Sequence, residues 1–191
     1  MICSICKEHI QVVNGNPKSA AYMNVTQRSN TISADEKIIW QILEKITDPE
    51  IPVISIVDLG IVRGVKVNTN IEVFITPTYS GCPAMDMISM NIKMELLQNG
   101  YTNVKLTQQL SPAWTTDWMT ENGKEKLKEY GIAPPVGKTF DKKYLEVELR
   151  VECPQCHSRN TKLLSQFGST ACKALYQCQD CREPFDYFKC H

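Results

Sequence analysis

The chain has 191 residues, 42% of them hydrophobic and 22% charged, and its 21 Lys plus Arg are balanced by 21 Asp plus Glu. That length allows one domain of ordinary size plus a small appendage, and zero formal net charge leaves no overall field to draw in a polyanion, which argues against nucleic acid as a partner. No apolar run approaches the ~20 residues of a membrane span, and the opening Met1-Ile2-Cys3-Ser4-Ile5-Cys6 lacks the basic flank and apolar stretch of a secretory signal, so a cytoplasmic protein with reduced cysteines and no membrane contact is expected.

Residues 1–31 are polar and aperiodic, with Asn14-Gly15-Asn16-Pro17 as a turn signal, and read as a disordered N-terminal extension. Cys3, Cys6 and His9 look like half a metal site, but no fourth ligand lies nearby and Met23 is an alternative start of translation, so the plainer reading is no site.

Residues 32–131 read as a compact α+β domain. Ser33 with Glu36 three residues on fits a capping box, and Ile38, Ile39, Ile42, Leu43 and Ile46 form a helical stripe that ends before Asp48-Pro49. Asp48-Pro49-Glu50-Ile51-Pro52 is expected to be extended, because each proline disfavours helix in the residue before it. Val65 and Val67, the turn Asn68-Thr69-Asn70, and Ile71, Val73 and Ile75 alternate as a hairpin. After Thr76-Pro77-Thr78-Tyr79-Ser80-Gly81-Cys82-Pro83, a second helix runs from about Ala84 to Asn99 with Met85, Ile88, Ile92 and Leu96 on one face, closed by Gly100. A strand near Val104 to Leu110 and a third helix ending at Tyr130-Gly131 complete a small mixed-sheet domain with two to three helices.

Pro134, Pro135 and Gly137 mark a linker over residues 132–143, and residues 144–191 read as a zinc-ribbon-like domain built on four cysteines, opening on a strand from Tyr144 to Val151. Cys153-Pro154-Gln155-Cys156 and Cys178-Gln179-Asp180-Cys181 are two knuckles, each able to aim two sulfurs at one centre. The alternative of buried or disulfide-forming cysteines suits neither the doubled pattern nor a reducing compartment. Zinc is the default structural metal, while a single iron or an iron–sulfur cluster is also suited to four thiolates. Cys172 and Cys190 are close enough in sequence to serve as additional ligands.

In the main domain Cys82 stands immediately before a helix, where free amides favour a thiolate able to ligate metal or attack an electrophile; a small buried cysteine is an equal alternative. Asp48, Glu50 and Asp58 are carboxylates able to join it as ligands, although turn capping is the plainer role for each. The three histidines, His9, His157 and His191, lie outside this domain, and there is no phosphate loop or Ser-His-Asp set. The chain therefore reads as a carrier, chaperone or subunit, with no catalytic residues assigned.

The run from Asp48 to Pro52, then Ser55-Ile56-Val57-Asp58-Leu59-Gly60-Ile61-Val62 and Thr76-Pro77-Thr78-Tyr79-Ser80-Gly81-Cys82-Pro83-Ala84, resembles the metal–sulfur cluster assembly family of small α+β proteins. With Ser111-Pro112-Ala113-Trp114-Thr115-Thr116-Asp117-Trp118-Met119, Tyr130-Gly131-Ile132-Ala133-Pro134-Pro135, and the runs from Phe167 to Tyr176 and from Cys181 to Cys190, residues 33–190 resemble the D-component family of phenylacetyl-CoA epoxidases. The resemblance implies an accessory part in aerobic phenylacetate breakdown, where a multicomponent monooxygenase forms the 1,2-epoxide of phenylacetyl-CoA. Its partners would be the catalytic and reductase chains. It also implies that Cys82 is the reactive cysteine of the loop, helping to mature an iron–sulfur or di-iron centre by transiently holding iron or a cluster. A stoichiometric bridging component without metal transfer, or a general iron–sulfur assembly factor, are the other readings.

Overall fold

In a computed structural model, residues 34–136 and 151–189 are described. The expected N-terminal extension, Cys3, Cys6, His9, Cys190, most of the 132–143 linker and all but the last residue of the expected strand from Tyr144 lie outside them.

The first helix, α1 (Ala34–Leu43), turns Ile39, Ile42 and Leu43 inward and Ile46 continues the buried row beyond its end, whereas Ile38, expected in the same stripe, is exposed. The strands β1 (Val62–Val67) and β2 (Ile71–Ile75) form the expected antiparallel hairpin, with Val65 opposite Val73 and Val67 opposite Ile71. Period-two burial of Ile71, Val73 and Ile75 fixes which face meets the core, since a slip by one residue would turn all three to solvent. The crossover helix α2 (Ala84–Gln98) returns the chain so that β3 (Val104–Gln108) pairs with β2 in parallel. Ala84, Met85, Ile88, Ile92 and Leu96 bury one face of α2, and Gly100 closes it with φ +89°. On the other face Met87, Met90, Met94 and Leu97, spaced by three, four and three, are each at least 50% exposed.

Asp48 to Pro52 is not extended. The Asp48 Oδ1 accepts the amides of Glu50 (2.8 Å) and Ile51 (2.9 Å), closing the segment into a turn that the Asp48 amide ties to the Ile54 carbonyl (2.9 Å). An Asp side chain that recaptures amides two and three residues on supplies the partners that the prolines deny the backbone. A second anchored turn follows. Gly60 has φ +74°, and a Cβ there would lie 2.6 Å from the Trp118 carbonyl oxygen, so only glycine lets the chain close on the short 3₁₀ turn Thr116–Trp118. Helix α3 (Glu121–Glu129) then begins at Thr120, whose hydroxyl accepts the Gly123 amide (2.9 Å).

The C-terminal module is an antiparallel sheet of β4 (Thr161–Ser165), β5 (Lys173–Cys178) and β6 (Pro184–Phe188), in that order. Tyr176, Phe185 and Tyr187 cluster on its inner face. It is docked on the main domain. Ala133 runs beside β6, donating its amide to Asp186 (2.8 Å) and accepting from Phe188 (2.9 Å), while Lys128 pairs with Glu152 (2.9 Å). Phe188 and Cys172 are buried in the hydrophobic core of the α+β domain itself. Among the described residues no helix is long and apolar enough to cross a membrane.

Candidate functional site

The two knuckles meet as their spacing requires. The sulfurs of Cys153, Cys156, Cys178 and Cys181 all lie within 4.8 Å of one another, with Cys153 to Cys181 at 3.8 Å and Cys156 to Cys178 at 3.5 Å. Four thiolates about 2.3 Å from a central zinc would be about 3.8 Å apart along each edge of the tetrahedron, so the cage fits such an ion. Each knuckle is followed by a residue in the left-handed region, His157 (φ 62°) and Arg182 (φ 70°), which turns the next amides back toward the sulfurs. The amides of Cys181 and Asp180 donate to the Cys178 sulfur and bring that thiol down to about 7 against the effect of burial. At Cys181 the Glu183 amide favours the thiolate, but desolvation and the three neighbouring sulfurs push the group up to about 12. Four sulfurs this close do not all ionise unaided; a cation at the centre removes the repulsion. These four cysteines form a metal-binding site.

Cys172 is not part of it. It precedes β5 while Cys178 ends that strand, so six residues of extended chain, about 20 Å, separate it from the cage. The expectation of Cys172 as an additional ribbon ligand therefore fails on strand geometry, and Cys190 falls outside the described residues.

A second set of candidate residues lies around the Cys82 turn. Gly81, with φ +80°, lets the Cys82 amide reach back to the Tyr79 carbonyl (3.3 Å), a tight turn whose third residue needs positive φ. The Cys82 carbonyl then accepts from Met85 (3.3 Å) as α2 begins. The Cys82 side chain is half-buried against the core, near the Tyr79 phenol. Burial, the neighbouring Cys82 thiol and the nearby charges of Glu50 and Cys172 raise the phenol to about 12.

From the loop between α1 and β1 comes Asp48, only 6% exposed, whose carboxyl burial pushes up while the Glu50 and Ile51 amides and the Lys173 charge oppose the shift. Glu50 is raised by partial burial and by the charge of Asp48. From the ribbon comes Cys172, 5% exposed, held at 3.0 Å from the Thr170 hydroxyl and raised by burial, with Glu50 and Asp48 adding to the effect. Lys173, 4% exposed, extends its amine to Asp186 (3.5 Å).

Of the carboxylates read from the sequence, Glu50 lies near enough to act on Tyr79 of the Cys82 turn, and Asp48 acts on Glu50. Asp58 does not. Its Oδ1 accepts from the Thr120 hydroxyl (2.6 Å) and its Oδ2 from Lys126 (2.7 Å) and Asn122 (3.1 Å), so it pins α3 to the preceding turns. Although burial opposes it, these donors hold the Asp58 carboxyl below its ordinary range. Sequence reasoning misses Tyr79 and Lys173, because nothing in their local sequence distinguishes a loop tyrosine or a strand lysine from a solvated one.

Comparison with known proteins gives two family matches. Residues 36–105 match the model of the iron-sulfur cluster assembly protein family, and residues 138–189 match the PaaD zinc beta ribbon domain. A candidate D component of 1,2-phenylacetyl-CoA epoxidase from Escherichia coli (strain K12) is 52% identical over 153 residues, covering 80% of this chain and 91% of the relative. Among solved structures, a domain of unknown function from Bacillus anthracis aligns at 28% identity over 48% of this chain and 90% of its own, with a TM-score of 0.46. A conserved hypothetical protein from Thermotoga maritima aligns at 24% identity over 52% and 97%, with a TM-score of 0.42.

Proposed function

The chain belongs to the family of phenylacetyl-CoA epoxidase D components, and from that premise we propose that it is an accessory subunit of the 1,2-epoxidase of aerobic phenylacetate degradation, assisting maturation of an iron–sulfur or di-iron centre in a partner chain. The observation that carries this reading is the convergence of the Cys82 turn with the Asp48–Glu50 loop on one partly buried spot. A thiol and carboxylates carried on neighbouring loops are ligand types that iron binds. Such a site leaves coordination positions open, and an ion held that way is free to pass to a better-furnished site.

Cargo and resident metal are separate. Zinc, held by Cys153, Cys156, Cys178 and Cys181, clips the ribbon in the shape that docks on the α+β domain, and the cage contributes no step to the transfer. Iron or a cluster is the substrate of the Cys82 site.

The test is to produce the catalytic and reductase chains with and without this protein and to measure their iron and inorganic sulfide. A maturation role predicts metal-poor partners in its absence, restored when it is co-produced. Fully loaded partners in its absence would reject the role.

One observation favours a second reading, that of a stoichiometric component bridging the catalytic and reductase chains. The exposed row of Met87, Met90, Met94 and Leu97 is an apolar helix face of adaptable side chains, suited to packing against another chain of the complex. Under that reading the protein co-purifies in fixed ratio with its partners and their metal content does not depend on it.

A further inference from the structure

Each knuckle of the cysteine cage closes on itself in the same way. The Cys153 amide donates to the Ser158 carbonyl (2.9 Å) and the Cys178 amide to the Glu183 carbonyl (3.0 Å), so the two sulfurs within a knuckle are set by its own backbone. What remains to be fixed is one knuckle against the other. The pairing of β4 with β5 and a bond from the Gln179 amide to the Asn160 carbonyl (2.8 Å) join them through the backbone. The side chain that joins them is Asp180. It stands between the two cysteines of the second knuckle and reaches the loop that leaves the first, where its Oδ1 accepts from the Asn160 Nδ2 (2.7 Å) and its Oδ2 from the Ser158 hydroxyl. Those two donors are locked together in turn, since the Ser158 Oγ accepts the Asn160 backbone amide (3.0 Å).

The four ligands are not equivalent. Cys153 and Cys178 are fully buried and Cys181 is half-buried, whereas Cys156 is exposed, so it is the ligand that water and competing chelators reach first. The Asp180 bonds tie down the loop that follows Cys156 directly. Bonds at the surface add little to global stability, because solvent competes for the same partners. Their leverage is on the metal, since groups that hold ligands in place typically change metal affinity by about 10- to 100-fold when removed.

We propose that Asp180 is a positioning residue for the metal cage, latching the knuckle that carries the exposed Cys156 to the knuckle that carries the buried Cys178 and so setting how slowly bound zinc leaves. Both of its carboxylate oxygens are taken by Ser158 and Asn160, and it is not among the groups placed to hold the ion, so it acts through the knuckles and not as a ligand. With the latch broken, the loop from Cys156 to Asn160 moves more freely against the second knuckle, and the Cys156 sulfur parts from the ion more often. This role is independent of the reading of Cys82 as the cargo thiol.

The test mixes zinc-loaded, full-length protein with an excess of a chromogenic chelator and reads the rate of zinc release beside the melting temperature of the loaded protein. Release from Asp180→Ala is expected to be about 10- to 100-fold faster than from the wild type, with little change in melting. Asp180→Asn keeps an oxygen for Asn160 and should recover most of the slow release. Ser158→Ala should speed release on its own and add little to Asp180→Ala, since the two act through one latch. Release at the wild-type rate from Asp180→Ala overturns the inference. So does faster release that comes with an equal fall in melting and that Asp180→Asn does not repair, which is the mark of general destabilisation. Should Asp180→Ala fail to retain zinc through purification, Ser158→Ala decides by the same readout: faster release supports the latch, and an unchanged rate removes it.

Discussion

Phe188 of the ribbon meets Trp114 of the α+β domain edge to face, 6.1 Å between ring centroids, and the Trp114 indole is itself tied to the Leu59 carbonyl at 3.1 Å. Phe188 is 1% exposed and Trp114 3%, so the contact is a dry joint between the modules. Truncating a buried phenylalanine removes its packing and leaves a cavity, typically at a cost of about 3–5 kcal/mol. Phe188→Ala should therefore lower the thermal midpoint and open the ribbon to limited proteolysis while zinc stays bound. An unchanged digestion pattern would mean that the docking does not depend on this joint.

Asp58 gives a pH dependence of definite sign. Its carboxyl titrates below the ordinary value of 3.8, so its contribution to stability is fully present above that value and is lost as pH falls through the lower folded-state value. Asp58→Asn weakens the Lys126, Thr120 and Asn122 contacts and should cost about 1–3 kcal/mol at neutral pH. The gap from wild type should close on acidification. Denaturant unfolding at neutral and acid pH checks this.

Asp48 has the opposite sign. Burial raises its carboxyl above 3.8, so ionisation opposes folding, and the cost appears as pH rises through the ordinary value toward the higher folded one. Asn at this position keeps the Oδ1 that accepts the Glu50 and Ile51 amides. Asp48→Asn should then be at least as stable as wild type at neutral pH, with the difference vanishing in acid. A clear loss of stability at neutral pH would show that the charge itself holds the turn.

How much of the fold and site is legible in the sequence depends on range. The inward residues of α2 and the β1–β2 register follow from periods of 3.6 and 2, which a few residues display. The cage follows from two local knuckles. The turn at Asp48 escapes the proline rule, which restricts backbone angles without saying which amides a side chain can recapture. Cys172 escapes for a different reason. Its proximity in sequence to Cys178 suggests the cage, whereas strand geometry carries it into the hydrophobic core of the other domain, a long-range placement that leaves no periodic trace.

The cage predicts one zinc per chain and four thiols that become reactive when a strong chelator removes it. Because structural zinc is coupled to folding, the metal-free ribbon should lose its sheet and release Phe188 from Trp114. Elemental analysis with thiol counting and circular dichroism tests this. An iron–sulfur chromophore with inorganic sulfide in the native protein would replace zinc with a cluster.

Whether the Cys82 thiol carries metal to the epoxidase is decided by the iron content of the epoxidase partners matured in the presence of Cys82→Ser, read alongside the variant's own zinc and melting temperature. The expected outcome is a folded, zinc-bearing variant whose partners remain iron-poor. Partners loaded to the wild-type level by that variant would contradict a metal-carrying role for Cys82.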